Sequence, residues 1–299
     1  MNASVRLLEE TLPSTVHLRV EVADSHPSAA VLGTERAGTG TLVDASGLIV
    51  TVNYVVLGAS SAQVTLVDGR ELLGEVIAQD FASGVALLKV PAMGLPAMAL
   101  RSEPVIGVGE EVFILASVGD GGRRAGSGAV TSVAPFDANW EYTLERAIYT
   151  TAMNPGLGGG PLIDTSGRLV GIVSLNLNEI GRFSLAIPIE CYGDHRDELL
   201  RFGRRPSRPS RAWLGLYCYT LRSHVVIAGL LPGAPAEQAG LTQGDVILAL
   251  DDVEVSSRRE LYERLWTHRA GERISLRVYR NSEVVGVEVT SGDVEEFFA

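Results

Sequence analysis

The sequence predicts a mostly β protein of two domains, on three observations. The chain has 299 residues, and at roughly 150 residues per domain that is enough for two cores of ordinary size. Short β-branched runs recur between turn signals, with almost no helical periodicity over the first two thirds. A single break in composition, Phe202-Gly-Arg-Arg-Pro-Ser-Arg-Pro-Ser-Arg211, then interrupts every apolar period and leaves no face that an element could bury. Hydrophobic residues at 46% and charged residues at 20%, with 33 Gly and 13 Pro, fit a globular, turn-rich chain and exclude disorder and collagen-like repeats.

Upstream of the break the runs are Thr15 to Val22, Gly40 to Val43, Leu48 to Thr51, Ala62 to Val67, Glu71 to Ala78 and Val85 to Val90. They continue through Glu111 to Ala116, Gly126 to Val133, Ala147 to Thr151, Gly160 to Ile163, Arg168 to Leu175 and Phe183 to Ile187. Asp44-Ala-Ser-Gly47 and Val67-Asp-Gly-Arg70 supply turn chemistry between them. Strands at this spacing imply antiparallel barrels or sandwiches. Val55 to Ser60 reads as one helical turn, and Ile189 to Phe202 as a closing helix. Downstream, Ser257-Arg-Arg-Glu260 is a capping box, Leu261 and Leu265 recur four apart, and Gly271 closes that helix. Its neighbours, Val225 to Leu231, Asp245 to Leu250, Arg273 to Tyr279 and Glu283 to Val289, predict a small half-buried sheet.

The expected division is therefore 1–203 as one domain, 204–211 as a basic Pro/Ser linker, 212–292 as a second domain and 293–299 as a tail. The linker carries four arginines, Arg204, Arg205, Arg208 and Arg211. It serves either as a solvated tether or as a dock for an acidic partner.

The net charge of −11 repels nucleic acid and anionic lipid, so no nucleic-acid partner is expected. Lys89 is the one lysine among 25 basic residues, a compositional bias and not a set of separate functions. Cys191 and Cys218 lie on opposite sides of the break without C-x-x-C spacing, so neither a disulfide framework nor a metal site is expected. No apolar run approaches the roughly 18 residues that span a bilayer, and no membrane span is expected. The opening Met-Asn-Ala-Ser-Val-Arg-Leu-Leu-Glu-Glu meets acid before any long apolar stretch. It predicts a cytoplasmic chain, or a periplasmic one if a leader has been removed.

Three landmarks carry a family resemblance. They are Gly38-Thr-Gly-Thr-Leu-Val-Asp-Ala-Ser-Gly-Leu-Ile-Val-Thr-Val-Asn-Tyr-Val-Val56, Asp80-Phe-Ala-Ser-Gly-Val-Ala-Leu-Leu-Lys89 and Met153-Asn-Pro-Gly-Leu-Gly-Gly-Gly-Pro-Leu162. In order and separation they resemble the HtrA (Deg) family of trypsin-like serine proteases, which implies a trypsin-like double β-barrel. The family pattern asks for His in T-N-x-H-V-V, an acid before the apolar run of the second landmark, and Ser in N-P-G-N-S-G-G-P. Here those positions are Tyr54, Gly84 and Gly158, with Leu157 in place of Asn. Triad catalysis needs a hydroxyl nucleophile, an imidazole base and a carboxylate that holds the base's tautomer. Losing the triad as a unit costs on the order of a millionfold in turnover. The resemblance thus implies a pseudoprotease with no catalytic residue. Gly156 and Gly158 form a remnant oxyanion loop, which either still presents N–H groups or has collapsed. None of His17, His26, His195, His224 or His268 falls where a base is expected.

Trp213-Leu-Gly-Leu216, followed by Gly229-Leu-Leu-Pro-Gly-Ala-Pro-Ala-Glu-Gln-Ala-Gly-Leu-Thr-Gln-Gly-Asp-Val-Ile-Leu248, resembles the PDZ domain that follows HtrA protease domains. That implies Trp213, Leu214, Gly215 and Leu216 as a loop offering N–H groups to a peptide's terminal carboxylate, with Arg211 in reach and the peptide added as a strand. Leu261 and Leu265 either line the groove or are plain core, since an i, i+4 pair is first a packing stripe. The segment between Tyr217 and Val225 is shorter than the family's. Asp194-His-Arg-Asp-Glu198 reads as a solvated helix face rather than an ion site, and Gly119 to Gly126 as a surface loop without a phosphate-loop ending. The apolar end Glu295-Glu-Phe-Phe-Ala299 is either a frayed tail or a C-terminus that another copy's groove would take.

The leading expectation is a non-catalytic HtrA-like adaptor, scaffold or chaperone-like factor that binds peptide C-termini or unfolded segments, without cofactor. A homotrimer or assembly with an active paralogue follows from the resemblance. Its rivals are a serine endopeptidase with a reorganised site and a purely structural subunit of a larger assembly.

Overall fold

The computed structural model describes residues 3–102, 105–119, 122–177 and 181–299. The chain forms two compact units. The first comprises the chain through Asp24, Leu32–Phe136 and Leu144–Pro206, and the second Ser25–Val31, Asp137–Thr143 and Ser207–Ala299. The division falls inside the expected linker, but two short segments that the sequence placed in the first domain, 25–31 and 137–143, belong to the second unit.

The first unit holds two closed barrels. Strands β1 (Thr15–Glu21), β2 (Glu35–Asp44), β3 (Leu48–Val52), β4 (Ser61–Thr65), β5 (Glu71–Asp80) and β6 (Val85–Lys89) close in the order β1-β2-β3-β6-β5-β4. Strands β7 (Glu111–Ser117), β8 (Arg123–Asp137), β9 (Thr143–Thr150), β10 (Pro161–Asp164), β11 (Leu169–Asn176) and β12 (Ser184–Pro188) close in the order β10-β11-β12-β9-β8-β7. Closure removes every edge. The same turn starts a hairpin in each barrel. Asp44 accepts from Ser46 N through its side chain (2.8 Å) and from Gly47 N through its carbonyl (3.0 Å). Asp164 does the same for Ser166 N (2.9 Å) and Gly167 N (3.0 Å). An Asx turn closed by glycine satisfies the donors that a sharp reversal would orphan.

Strands β3 and β12 are buried on both faces, which is why Leu-Ile-Val-Thr-Val reads as a continuous apolar run instead of an alternation. One face lines a barrel and the other meets a neighbouring element. Strand β8 is longer than the expected Gly126 to Val133. The expected closing helix is two short ones, Glu190–Gly193 and Arg196–Phe202. The chain breaks at His195, whose φ of −118° and ψ of 8° leave the helical basin. Asp194 to Glu198 straddles that break, and its Arg196 guanidinium turns to Asp44 (3.6 Å) and to the Tyr192 hydroxyl (3.2 Å). Of the expected loop Gly119 to Gly126, Asp120 and Gly121 lie outside the described residues.

In the second unit β13 (Leu216–Leu221), β14 (His224–Leu230), β15 (Val246–Leu250), β16 (Val253–Glu254), β17 (Arg273–Arg280) and β18 (Glu283–Thr290) form one sheet in the order β13-β14-β15-β17-β18, with β16 beside β15. The short segment after Tyr217 is a tight hairpin: Arg222 and Ser223 take φ of 47° and 62°, the paired left-handed values of a two-residue type I′ turn. The helix Arg258–Leu265 starts where the capping box placed it, with Ser257 Oγ accepting from Glu260 N. The Glu260 carboxylate reaches one residue further back than a capping box requires, to Ser256 N at 2.8 Å. The end of the chain is ordered. Val294–Phe297 is a helical turn, Phe297 packs on the Trp213 ring with centroids 4.8 Å apart, and the Phe298 carbonyl lies 3.2 Å from His26 Nε2. Glu295 to Ala299 is therefore neither frayed nor held out as a ligand.

Candidate functional site

Two places in the fold bring the singled-out residues together. The first, in the first unit, surrounds Tyr54, Gly84 and Gly158, the positions where the resemblance expects a triad. Tyr54 ends strand β3 on a single turn, Asn53–Val56. Its hydroxyl donates to Ser174 O at 2.7 Å, and burial pushes its pKa up to about 12, so the phenol stays protonated. Gly158 lies directly against it: a Cβ added at Gly158 would come under 3.0 Å from Tyr54 Oη. The phenol thus fills the space a nucleophile side chain would need. Gly84 has φ +77° and its carbonyl accepts from Asn53 N at 2.8 Å. The nearby carboxylate, Asp80, is buried and accepts from Ser83 Oγ (2.6 Å) and Ala82 N (3.0 Å), with Arg205 at 3.4 Å. Arg205 of the expected linker is thus turned to the chain's own acid.

The loop after Met153 is clamped by its own backbone. Gly156 N donates to Asn154 Oδ1 (3.2 Å), Leu157 N to Ser117 O (2.9 Å) and Gly159 N to Val173 O (2.7 Å). The Gly158 carbonyl accepts from Thr39 N at 2.7 Å, and Leu157 O from Thr39 Oγ1 at 2.7 Å. Of the two expected oxyanion donors, Gly156 N is already engaged. A Ser–His contact does occur in this unit, Ser117 Oγ to His17 Nδ1 at 2.8 Å. Ser117 is fully buried, so the pair has no route to a peptide.

The second place is the loop Trp213 to Leu216, and it holds a carboxyl group. Leu214 N donates to Glu141 Oε1 (2.8 Å), while Gly215 N (2.7 Å) and Leu216 N (3.2 Å) donate to Oε2. Gly215 makes this convergence possible. Its φ is +77°, and a Cβ there would come under 3.0 Å from Ala234 Cβ, so only glycine turns its N–H inward with its neighbours. Leu231 N donates to Gly215 O (2.8 Å) and Ala236 N to Leu214 O (2.9 Å), which fixes the loop from behind. Burial pushes the Glu141 pKa up to about 7, against the opposing pull of the three N–H groups and Arg211. Arg211 acts at a distance, since its guanidinium stacks on the Trp266 ring at 3.5 Å.

Residues around Glu141 follow it into the groove. Cys218 N donates to Asn139 O at 2.7 Å, and Trp140 bridges Tyr217 in antiparallel sense, so the segment lies as an added strand beside β13. From the helix, Tyr262 Oη donates to Ala138 O (3.1 Å) and Arg258 Nη2 to Asp137 O (2.5 Å). Arg259 grips the Asp137 carboxylate through Nε (3.0 Å) and Nη2 (2.8 Å).

The sequence found the loop but not its occupant. Leu214, Gly215 and Leu216 turn their N–H groups to the chain's own Glu141 and not to a peptide end, whereas Trp213 sits in the aromatic cluster with Phe297 and Phe298. Leu261 and Leu265 are fully buried in the core, packed with Val225, Ile227 and Leu276. Arg258, Arg259 and Tyr262 are the helix residues that meet the segment. Glu141 and Asp137 went unmarked; the one signal was an acid between two aromatics, Trp140-Glu141-Tyr142, in a turn between strands.

Residues 38–172 match the model of the trypsin-like peptidase domain, and residues 212–290 that of the PDZ domain. A probable periplasmic serine endoprotease, DegP-like, of Halomonas elongata is 33% identical over 277 residues, 86% of this chain and 56% of that protein. The like-named protein of Hahella chejuensis is 32% identical over 276 residues, 87% of this chain and 58% of its own. The chain belongs to the HtrA/DegP family. It spans just over half the length of these relatives. The solved HtrA-type protease AlgW with decapeptide matches with a TM-score of 0.58 and 26% identity over 98% of this chain and 99% of that one. The serine endoprotease from Yersinia pestis shares the fold at 22% identity, with a TM-score of 0.58 over 98% of each chain. This HtrA/DegP-family chain is accordingly a trypsin-like domain followed by a PDZ domain, mostly β as expected. The Halomonas and Hahella relatives are named as probable periplasmic proteins, and the cytoplasmic expectation gains no support from them. Among the described residues no helix is long and apolar enough to cross a membrane.

Proposed function

We propose that this chain is a non-catalytic HtrA-like protein whose PDZ domain binds peptide carboxylates as an adaptor or scaffold, in the periplasm where its relatives are named. The observation that carries the binding half is the convergence of Leu214, Gly215 and Leu216 N–H on one buried carboxylate. Three aligned donors in a rigid loop form a receptor for an anion. The non-catalytic half is supported by chemistry at the triad positions: a buried phenol and two glycines offer neither nucleophile nor base near neutral pH.

The test is fluorescence anisotropy of short labelled peptides with varied C-termini against the whole chain, each beside its amidated twin. Binding that needs the free carboxylate and disappears in Gly215→Trp supports the adaptor. Its absence in every background favours a structural subunit. Turnover of casein, or labelling by a serine-reactive phosphonate, would instead favour a reorganised protease. Tyr54→His, Gly84→Asp and Gly158→Ser introduced together probe the site further: cleavage by that variant would mean that only the side chains have been lost. Sedimentation of the chain alone and with an active paralogue tests the trimeric or mixed assembly that family membership suggests.

A further inference from the structure

We propose that Asp137–Tyr142 is a tethered internal ligand of the PDZ groove, with the Glu141 side chain standing in for a peptide's terminal carboxylate, so that outside peptides bind by displacing it. The inference rests on the reading of this groove as a peptide site and adds its regulation and a second ligand class, internal Asn-Trp-Glu segments.

Three features of strand-addition recognition are met from within the chain. The carboxylate takes all three loop donors. The residue two before it pairs with the sheet edge, through Asn139 O and Cys218 N at 2.7 Å. The helix side closes over the backbone through Tyr262 and Arg258, and Arg259 holds Asp137 at the far end. A side-chain carboxylate can do this because the segment folds back just beyond it: Tyr142 N donates to Trp140 O at 2.6 Å, which carries the main chain away from the loop while the Glu141 side chain continues into it. Trp140 remains 38% exposed beside the better buried Tyr142, so the occupant is held by polar contacts at its two ends more than by a deep apolar anchor. Such a ligand is exchangeable. Occupancy lowers the apparent affinity for an outside peptide by the fraction of molecules whose groove is open.

The experiment uses the full chain as wild type, Glu141→Ala and Asp137→Asn. Asp137→Asn weakens the grip at the exposed end without uncovering a buried group, so it keeps the test alive if Glu141→Ala folds poorly. Amide hydrogen exchange at Leu214–Leu216 reads occupancy, and anisotropy of free-carboxylate peptides and their amidated twins reads competition. The expected result for Glu141→Ala is exchange at those amides faster by about tenfold or more, with free-carboxylate peptides bound tighter by a similar factor. Asp137→Asn moves both in the same direction by a few-fold. An acetylated, amidated Asp-Ala-Asn-Trp-Glu-Tyr peptide is expected to bind the Glu141→Ala chain, and its Gln version is not. Equal peptide affinity in all three chains would overturn the tethered ligand and leave the adaptor function standing. Faster exchange with no peptide bound by any chain would support the internal ligand and remove the adaptor function. Unchanged exchange in both variants would overturn the inference whatever the peptides do.

Discussion

Gly158→Ala and Tyr54→Phe form a double-mutant cycle whose result the packing of Tyr54 against Gly158 dictates. Gly158 is not among the glycines with positive φ, so an added methyl meets no backbone strain and its cost is steric. The methyl would come under 3.0 Å from Tyr54 Oη, 3.2 Å from Ser174 O and 3.4 Å from Tyr54 Cζ. Tyr54 cannot retreat without giving up its 2.7 Å bond to Ser174 O. Overpacking costs roughly 1–3 kcal/mol and a lost hydrogen bond about 1 kcal/mol, so Gly158→Ala alone is expected to cost about 2 kcal/mol. Tyr54→Phe alone leaves the Ser174 carbonyl without that donor, at about 1–2 kcal/mol. In the double variant the offending oxygen is gone and the ring carbon lies at the edge of ordinary contact, so the methyl keeps only the tight 3.2 Å approach to Ser174 O and adds well under about 1 kcal/mol. The coupling is therefore about 1–2 kcal/mol in the direction of mutual rescue. Urea unfolding followed by far-ultraviolet circular dichroism measures it. Trp140, Trp213 and Trp266 all belong to the second unit, so tryptophan fluorescence is an internal control that should not change. Costs that add to within about 0.5 kcal/mol would refute the clash.

Three further outcomes are expected. The Glu141 carboxyl is raised from 4.5 to about 7 by burial, so between those values the folded state holds a proton that the unfolded state has released. Stability from this group is fully present below about pH 4.5 and is lost as pH rises through about 7, by ~3 kcal/mol in all. Fluorescence-monitored unfolding of the second unit across pH checks this, with Glu141→Gln expected to remove the slope; an identical slope in the variant would sink the assignment. Gly215→Ala forces a side chain onto a φ of +77° with Trp213 ring atoms at 3.0 Å, and should cost the second unit more than about 2 kcal/mol. A cost below about 0.5 kcal/mol in the same unfolding assay would mean that the loop relaxes freely. Arg280 donates to the Asp245 carboxylate at 2.7 and 2.6 Å, and Asp245 is buried. Arg280→Ala leaves that charge to the Thr242 bonds alone, an expected loss of about 2–3 kcal/mol, and equal stability of variant and parent would count against it.

Much of the candidate site was legible because its chemistry is local. The x-Leu-Gly-Leu loop is a run of adjacent residues, and Gly215 has the backbone angle that the run requires. Tyr54, Gly84 and Gly158 could be singled out because each stands among residues that largely keep a motif, such as Asn154-Pro-Gly156 and Gly159-Gly-Pro161 around Leu157 and Gly158. The points that the sequence left open are equally specific. Leu261 and Leu265 show a helical stripe, but a stripe says only that one face is buried, and here that face is core. The helix residues that meet the occupant, Arg258, Arg259 and Tyr262, precede and interleave with the stripe without a pattern of their own. The tail from Glu295 to Ala299 looked free because no local rule foretells that Trp213 would receive Phe297.

What the sequence determined by itself was the set of strands, the turns that reverse them, the cap of the one long helix in the second unit, and which residues, Tyr54, Gly84 and Gly158, stand at the three motif positions. These depend on residues within a few positions of one another, where alternation, Asx turns and glycine geometry act directly. The tertiary structure decided which strands close each barrel, that 25–31 and 137–143 join the second unit, and that the N–H groups of Leu214, Gly215 and Leu216 meet Glu141. Glu141 stands 73 positions before Leu214 in the chain, and its acidity, its burial and its three donors exist only once folding has brought the two together. An isolated glutamate in water is an ordinary surface acid; desolvated against three converging N–H groups, it becomes the ligand of a site.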